Sequence, residues 1–263
     1  MEQDLDALLD RVTAHYQPIV DLATGAVVGF EALARIEEPD GSVRSIGPYI
    51  ERIESDQAHL DRLVWHLLAA ISEDVRPYFQ RYPEFYISVN VPPSILGSGR
   101  ILEMLEKLDL MPCIARLVCE VTERQSLTDA GRAALDAARK LHIRIAMDDF
   151  GTGHSGLGQL LGQTIDLLKI DRSQVEHLLK DPTADRLVRG VVALANVLRV
   201  KVIAEGVETA AQAFFLHAAG VDYGQGWFWS KALAPGALPS VIEGGFGDRR
   251  RELLALLHGT RTG

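Results

Sequence analysis

The sequence predicts an α/β fold, a modified TIM-type (β/α)8 barrel with one antiparallel strand, occupying residues 1–263 as a single domain. Three observations carry this expectation. Short β-rich apolar runs alternate with helical patterns along most of the chain, the rhythm of repeated βα units. The 263 residues, 47% hydrophobic and 24% charged, suit one barrel of about 250 residues with a large core. The first two strand-like runs are separated only by Ala23–Gly25, too short for a crossover helix. They therefore form a hairpin that sets one barrel strand against its neighbour.

The opening MEQDLDALLDRV predicts an amphipathic acidic helix over about 3–13, unlike a cationic leader peptide. The barrel is expected over about 15–245. Its strands are HYQPIVDL and AVVGFEALAR around the hairpin, then EFYISVNV, RLVCEVT, IRIAMDDF, IDLLKID, VKVIAE and VDYGQGWFW. Helical patterns cover Asp56–Phe79, Gly99–Leu108, Asp129–Leu141, Pro182–Leu198 and Thr209–Ala219, with a terminal helix over about 248–258. Pro182 after Asp181, and Thr209 before an apolar run, are helix-start signals.

Charge and cysteine usage narrow the function. A net charge of −9, from 36 acids and 27 bases, argues against a binder of nucleic-acid polymers that works by neutralising phosphates. No run approaches 18 consecutive apolar residues, so direct membrane insertion is not expected. Cys113 and Cys119 lack metal-site or redox spacing. A cytoplasmic, reducing location follows as an expectation.

The chemistry is written at the strand ends. Most predicted strands finish on residues poorly suited to a core: Glu31, Asn90, Glu120, Asp148 with Asp149, Lys169 with Asp171, Glu205 with Glu208, and Gln225. In a parallel barrel these ends form one rim, where the βα loops build a site. Alternation puts Glu31 on one face with Val27, Gly29, Leu33 and Arg35. An unpaired carboxylate there is costly, and Arg35 lies roughly 13 Å along an ideal strand. Asn90 shares a face with Ser88 and serves either the site or a helix cap. Glu120 points inward with Val118 and Thr122, whereas Glu123 by itself reads as a solvated loop acid.

Asp148 and Asp149 go to opposite faces unless the chain turns at once, and GTGHSG from Gly151 supplies that freedom. Neighbouring carboxylates raise each other's pKa, and a divalent cation relieves the repulsion. An inward Lys169 needs an anionic neighbour or a depressed pKa. Several carboxylates, one amide and hardly any histidine describe a hard-cation site for Mg2+ or Mn2+ rather than zinc. Two such ions about 3.5–4 Å apart suit phosphodiester hydrolysis.

FEALAR, SVNVPPSIL, CEVTE, MDDFGTG, LLKIDRS, VIAEGVET and YGQGWFWS, in this order, closely resemble the EAL family of cyclic di-GMP phosphodiesterases. The resemblance implies two Mg2+ or Mn2+ ions per site, Ca2+ being inhibitory, and conversion of cyclic di-GMP to linear 5'-pGpG. By that likeness Glu31, Asn90, Glu120, Asp148, Asp149 and Glu205 hold metal. Lys169 contacts the attacking water, Glu208 and Gln225 support the metal–water network, and Gln17, Leu33, Arg35 and Asp171 bind or frame the substrate. Glu123 resembles the acid that anchors the DDFGTG loop, near which a homodimer is expected to form. The chain departs from the family pattern at His154, Ser155 and Gly156, at Gln174 where Phe is common, and at Ile36 where Trp is frequent. The competing expectation within the family is a catalytically silent receptor for the same dinucleotide, but no matched acid is missing, nor is Lys169. An unrelated glycosidase or lyase barrel would explain only part of the motif set. The histidine-based hydrolases of this dinucleotide are disfavoured because the chain has no His–Asp dipeptide.

Overall fold

The computed structural model describes residues 4–126, 128–150 and 165–259. Its strands are β1 (Val12–Asp21), β2 (Val27–Glu37), β3 (Val43–Ser45), β4 (Tyr86–Asn90), β5 (Leu117–Thr122), β6 (Arg144–Phe150), β7 (Leu167–Ile170), β8 (Lys201–Ala204) and β9 (Tyr223–Gly224). They form one sheet in the order β1-β9-β8-β7-β6-β5-β4-β2-β3, and a further β1–β2 pairing closes it. Strand β1 is antiparallel to both β2 and β9, while the neighbours from β2 through β4 to β9 run parallel. The expected barrel with one reversed strand is therefore present, with β3 added outside the ring along the end of β2.

The reversal follows from local chemistry. The Asp21 carboxylate accepts hydrogen bonds from the Ala23 and Thr24 backbone N–H groups, and Gly25 takes φ +67°, a conformation that glycine adopts without steric cost. The N-terminal helix is shorter than expected, Leu5–Leu9 rather than about 3–13. Val12 and Thr13 are β-branched and pair with Ile36 and Arg35, so strand pairing takes over from helix there. Strand β2 also runs six residues past Glu31, which therefore sits mid-strand and not at a strand end. Pairing with both β1 and β3 explains that extension. Conversely, VDYGQGWFW contributes only Tyr223–Gly224 as strand.

Helices at Gln57–Asp74, Arg100–Lys107, Asp129–Leu141, Pro182–Leu198 and Ala210–Ala219 surround the ring. Asp56, Thr128, Asp181 and Thr209 cap four of them through side-chain oxygens, each cap contributing about 1 kcal/mol. Gln212 completes a capping box with Thr209, and its amide also donates to the Val175 carbonyl. This buried glutamine ties the segment after β8 to the segment after β7. Among the described residues, no helix is long and apolar enough to cross a membrane.

Inside the ring, Ile19, Tyr86, Val118, Ala146, Leu167 and Ile203 form an apolar plug. Toward the strands' C-terminal ends the interior turns polar, yet Glu31, Ser88, Glu120, Lys169 and Gln225 are all buried. A barrel that closes its lower end with hydrocarbon and lines its upper end with charge presents its chemistry at one face only.

Candidate active site at the barrel mouth

Lys169 on β7 is 1% exposed and is the focus of the polar layer. Its Nζ lies 2.6 Å from Glu205 Oε1, 2.7 Å from Glu120 Oε2, 3.4 Å from Asp148 Oδ1 and 3.8 Å from Glu31 Oε2. These carboxylates arrive from β2, β5, β6 and the residue after β8. The Gln225 amide donates to Glu31 Oε2 at 2.6 Å and Gln17 Oε1 at 3.2 Å, and Asn90 Nδ2 donates to Glu31 Oε1 at 3.3 Å. Gln17 and Glu31 are also direct partners in the β1–β2 ladder. Residues far apart in the chain thus fix one carboxylate from three sides.

The cluster is short of positive charge. Burial alone would pull the Lys169 ammonium toward neutrality, but Glu120, Glu31, Glu205 and Asp148 outweigh it and hold its pKa well above the usual lysine value. Burial is also the leading influence on Glu120, followed by the Glu31 charge, and together they push this carboxyl well above the ordinary range despite Lys169. Glu205 is raised to about 7, chiefly by burial, with Lys169 opposing and Glu31 and Asp148 adding to the rise. A single ammonium stabilises several acids only partially.

A stability profile follows. With Glu205 at about 7 when folded against an ordinary 4.5, the folded metal-free protein binds a proton that the unfolded chain releases in this window. That contribution is fully present below about pH 4.5 and is lost as pH rises through 7, on the order of 3 kcal/mol at most. The half-buried Glu38 and the exposed Asp56 and Asp181, whose pKa values are lowered by their hydrogen bonds, change stability at lower pH and with the opposite sign. Melting of chelator-treated protein should therefore shift downward between pH 5 and 8, and Glu205→Gln should flatten the slope. An upward shift across this window would contradict the assignment.

The donor chemistry fits a hard divalent cation. Glu120 Oε1 and Gln225 Oε1 are buried without a hydrogen-bond partner, and unsatisfied buried acceptors are costly. Among the described residues, no three His, Cys, Asp or Glu side chains are arranged as a ready ligand cluster. Lys169 lies at their focus instead, so the acids must partly turn from it to engage a cation.

The remaining predicted residues occupy different surroundings. Asp148 faces Lys169, whereas Asp149 is exposed, adopts φ +56° and lies at a register shift between Met147 and Phe150. Burial, then the Asp148 and Asp171 charges, raise the Asp149 pKa. Asp171 caps the short helix Arg172–Val175 by accepting from the Ser173 N–H, and Glu208 is exposed and pairs with Arg172 at 3.0 Å. Glu123 is not a solvated acid. It is 6% exposed and begins the helical turn Glu123–Ser126. The DDFGTGHSG segment from Gly151 onward, including His154, Ser155 and Gly156, lies outside the described residues. Gln174 donates to the Phe150 carbonyl at 2.8 Å, and Ile36 is fully buried.

Two clefts open on this layer. An acidic one of about 260 Å3 contains Gln17, Glu31, Asp148, Lys169, Glu205 and Gln225. A more apolar one of about 320 Å3, bounded by Arg35, Ile46, Leu63 and Pro92, reaches Asn90 and Glu120. Leu33 lines both. Arg172 and Trp227 also wall the acidic cleft; neither stands out in the sequence, where Arg172 appears only within the LLKIDRS motif and Trp227 within the strand-like VDYGQGWFW.

Comparison with known proteins agrees with this geometry. A family model described as EAL domain matches residues 2–232. The chain is 35% identical over 235 residues to the probable cyclic di-GMP phosphodiesterase PdeB of Escherichia coli (strain K12), covering 87% of this chain and 44% of that protein. It thus spans less than half the length of this curated relative. The solved complex of the PaMucR phosphodiesterase with c-di-GMP superposes with a TM-score of 0.80 at 28% identity, covering 89% of this chain and 98% of that one. A manganese and cy-diGMP complex of Klebsiella pneumoniae BlrP1 superposes with a TM-score of 0.72 at 27% identity, over 86% of this chain and 56% of that one. With its motifs, its reversed-strand barrel and a family match over most of its length, the chain belongs to the EAL domain family.

Proposed function

We propose that the chain is a metal-dependent phosphodiesterase that hydrolyses cyclic di-GMP to linear 5'-pGpG. The observation that carries this reading is the Lys169-centred ring of Glu31, Glu120, Asp148 and Glu205, drawn from β2, β5, β6 and the residue after β8 to one barrel mouth. Relatives of this chain are named cyclic di-GMP phosphodiesterases, and related structures hold c-di-GMP with manganese or calcium.

Glu31, Asn90, Glu120, Asp148, Asp149 and Glu205 would hold two Mg2+ or Mn2+ ions, which supply Lewis-acid activation of water and neutralise charge on the phosphodiester. The chain's own residues do the rest. Lys169, kept protonated by its acids, donates a hydrogen bond to the attacking water and fixes its direction. Gln225 and Asn90 hold the Glu31 carboxylate in one orientation, and the Glu208–Arg172 pair braces the far wall. Gln17 and Leu33 line the cleft, and Arg35 beside it offers a guanidinium to a phosphate. Asp171, by capping its helix, keeps the residues after Lys169 in place. A homodimer formed near the DDFGTG loop, with Glu123 anchoring that loop, and a cytoplasmic location belong to the same proposal.

Incubation with cyclic di-GMP and Mg2+ or Mn2+ should yield pGpG on chromatography. Excess chelator should stop it. Ca2+ should support little turnover, because it accepts six to eight ligands at about 2.3–2.6 Å and fits poorly where near-octahedral geometry must position water. Chelator-insensitive cleavage, or equal rates with Ca2+, would overturn the mechanism; tight binding without any product would establish a receptor instead.

A further inference from the structure

Two of the segments that deliver acids to Lys169 are held by side chains that line neither cleft. Strand β6 pairs with β7 at Met147–Leu168 and again at Phe150–Ile170, three steps on one strand against two on the other, so one extra residue is taken up as a bulge. Asp148 lies in that bulge, and Asp149 beside it adopts φ +56°, a conformation that Asp tolerates better than most side chains. Strand β7 stops at Ile170 and cannot continue the ladder. The half-buried Gln174 takes over, its amide donating to the Phe150 carbonyl at 2.8 Å. On the other flank, the Glu205 N–H donates to the Ile170 carbonyl at 3.0 Å. Beyond it the chain is held by the buried Gln212, whose Oε1 accepts from the Glu208 and Thr209 N–H groups at 2.9 and 3.0 Å. Those two donors fix the orientation of the amide, so Nε2 faces the Val175 carbonyl at 3.1 Å. Both amides therefore converge on one short helix, Arg172–Val175.

We propose that the helix Arg172–Val175 is a clip, with Gln174 and Gln212 as positioning residues that hold the ends of β6 and β8 against β7 and so set the aim of Asp148 and Glu205; this rests on the function proposed above, which makes those carboxylates metal ligands. Asp148 and Glu205 lie 3.4 and 2.6 Å from Lys169 Nζ and repel one another as like charges. Strand ends left free would splay under that repulsion. Backbone pairing cannot prevent it past Ile170, where β7 has ended, so side chains must reach across. The chain after Glu205 also lies directly against the clip, because a Cβ on Gly206 would come within 2.3 Å of Arg172 Cγ. A shift of one strand end is thereby passed through the helix to the other.

The test compares Gln174→Met and Gln212→Glu, singly and together, with the unaltered protein. Methionine keeps roughly the length of glutamine and loses the donor. Glutamate keeps an oxygen for the capping box but sets its second oxygen against the Val175 carbonyl. Mn2+ binding is measured by calorimetric titration without substrate, turnover by steady-state kinetics with cyclic di-GMP in excess Mn2+, and folding by thermal melting. Each single variant should weaken Mn2+ binding about tenfold and lower kcat by a similar factor, as expected for ligands misplaced by less than about 1 Å, with KM within about threefold. The double variant should lose less than the product of the two, because residues acting through one element are coupled. A lowered melting temperature with unchanged Mn2+ affinity and kcat would overturn the proposal, leaving both amides as fold-stabilising groups only. So would losses that multiply, which would make them two independent braces. If Gln212→Glu fails to fold, the Mn2+ affinity of Gln174→Met decides alone. If the unaltered protein neither binds Mn2+ nor cleaves cyclic di-GMP, the underlying function fails and the clip with it, a result visible before any variant is compared.

Discussion

Lys169→Met is expected to reduce turnover at least about 10^3-fold and to lower the melting temperature of the metal-free protein. The rate effect follows from removing a pre-aimed cation from a buried site, where such groups act mainly on the transition state and appear in kcat. The stability effect follows from what is left behind. Glu205 and Glu120 lose partners at 2.6 and 2.7 Å, and breaking a buried ion pair by deleting one member costs about 3–5 kcal/mol. Part of that is recovered as Glu120 takes up a proton. Steady-state kinetics and thermal melting in chelator read the two effects separately. A variant that loses only KM would reassign Lys169 to substrate binding.

Glu120→Gln should have a similar effect on rate and the reverse effect on stability. Glu120 is 2% exposed, its Oε1 has no hydrogen-bond partner, and its neighbours Glu31, Asp148 and Glu205 repel its charge. The amide keeps the shape, removes a like charge and retains an oxygen that can accept from Lys169. Metal-free protein should therefore melt at the same temperature or higher. Turnover should fall about 10^3-fold or more, because a neutral amide oxygen is a weaker ligand for a hard cation than a carboxylate. Loss of stability together with retained activity would show that Glu120 is a structural counter-ion to Lys169 and not part of the metal site.

The polar ring was legible because strand alternation is strict. A Glu, Lys or Asp on the inward face of a β-rich apolar run has few structural excuses, and Glu31, Glu120 and Lys169 all converge as that pattern implies. The hairpin that reverses β1 was legible for a different reason, since three residues leave no room for a helix. Other features depend on contacts that periodicity does not encode. Strand β3 exists because the end of β2 has an open edge, and Glu123 is buried by the packing of the turn it begins. Asp171 looks like a rim acid in sequence, but the following Arg-Ser supplies an N–H for it to cap. Trp227 could not be separated from Phe228 and Trp229, because the turn at Gly226 is set by its close approach to Val207.

The seam of the barrel has a kinetic meaning. Strands β1 and β9 meet through only two residue pairs, Val20 with Gly224 and Asp21 with Tyr223. Gln225, next along the chain, reaches Glu31 across 194 positions of sequence. Local βα units can form early, but this junction closes a very long loop and is entropically among the slowest contacts to make. The grip on Glu31 is therefore completed only after nearly the whole barrel has emerged from the ribosome. A nascent or prematurely ended chain lacking β9 would carry most of the acids without the amide that orders the first of them, so the complete polar site arrives together with ring closure rather than accumulating strand by strand.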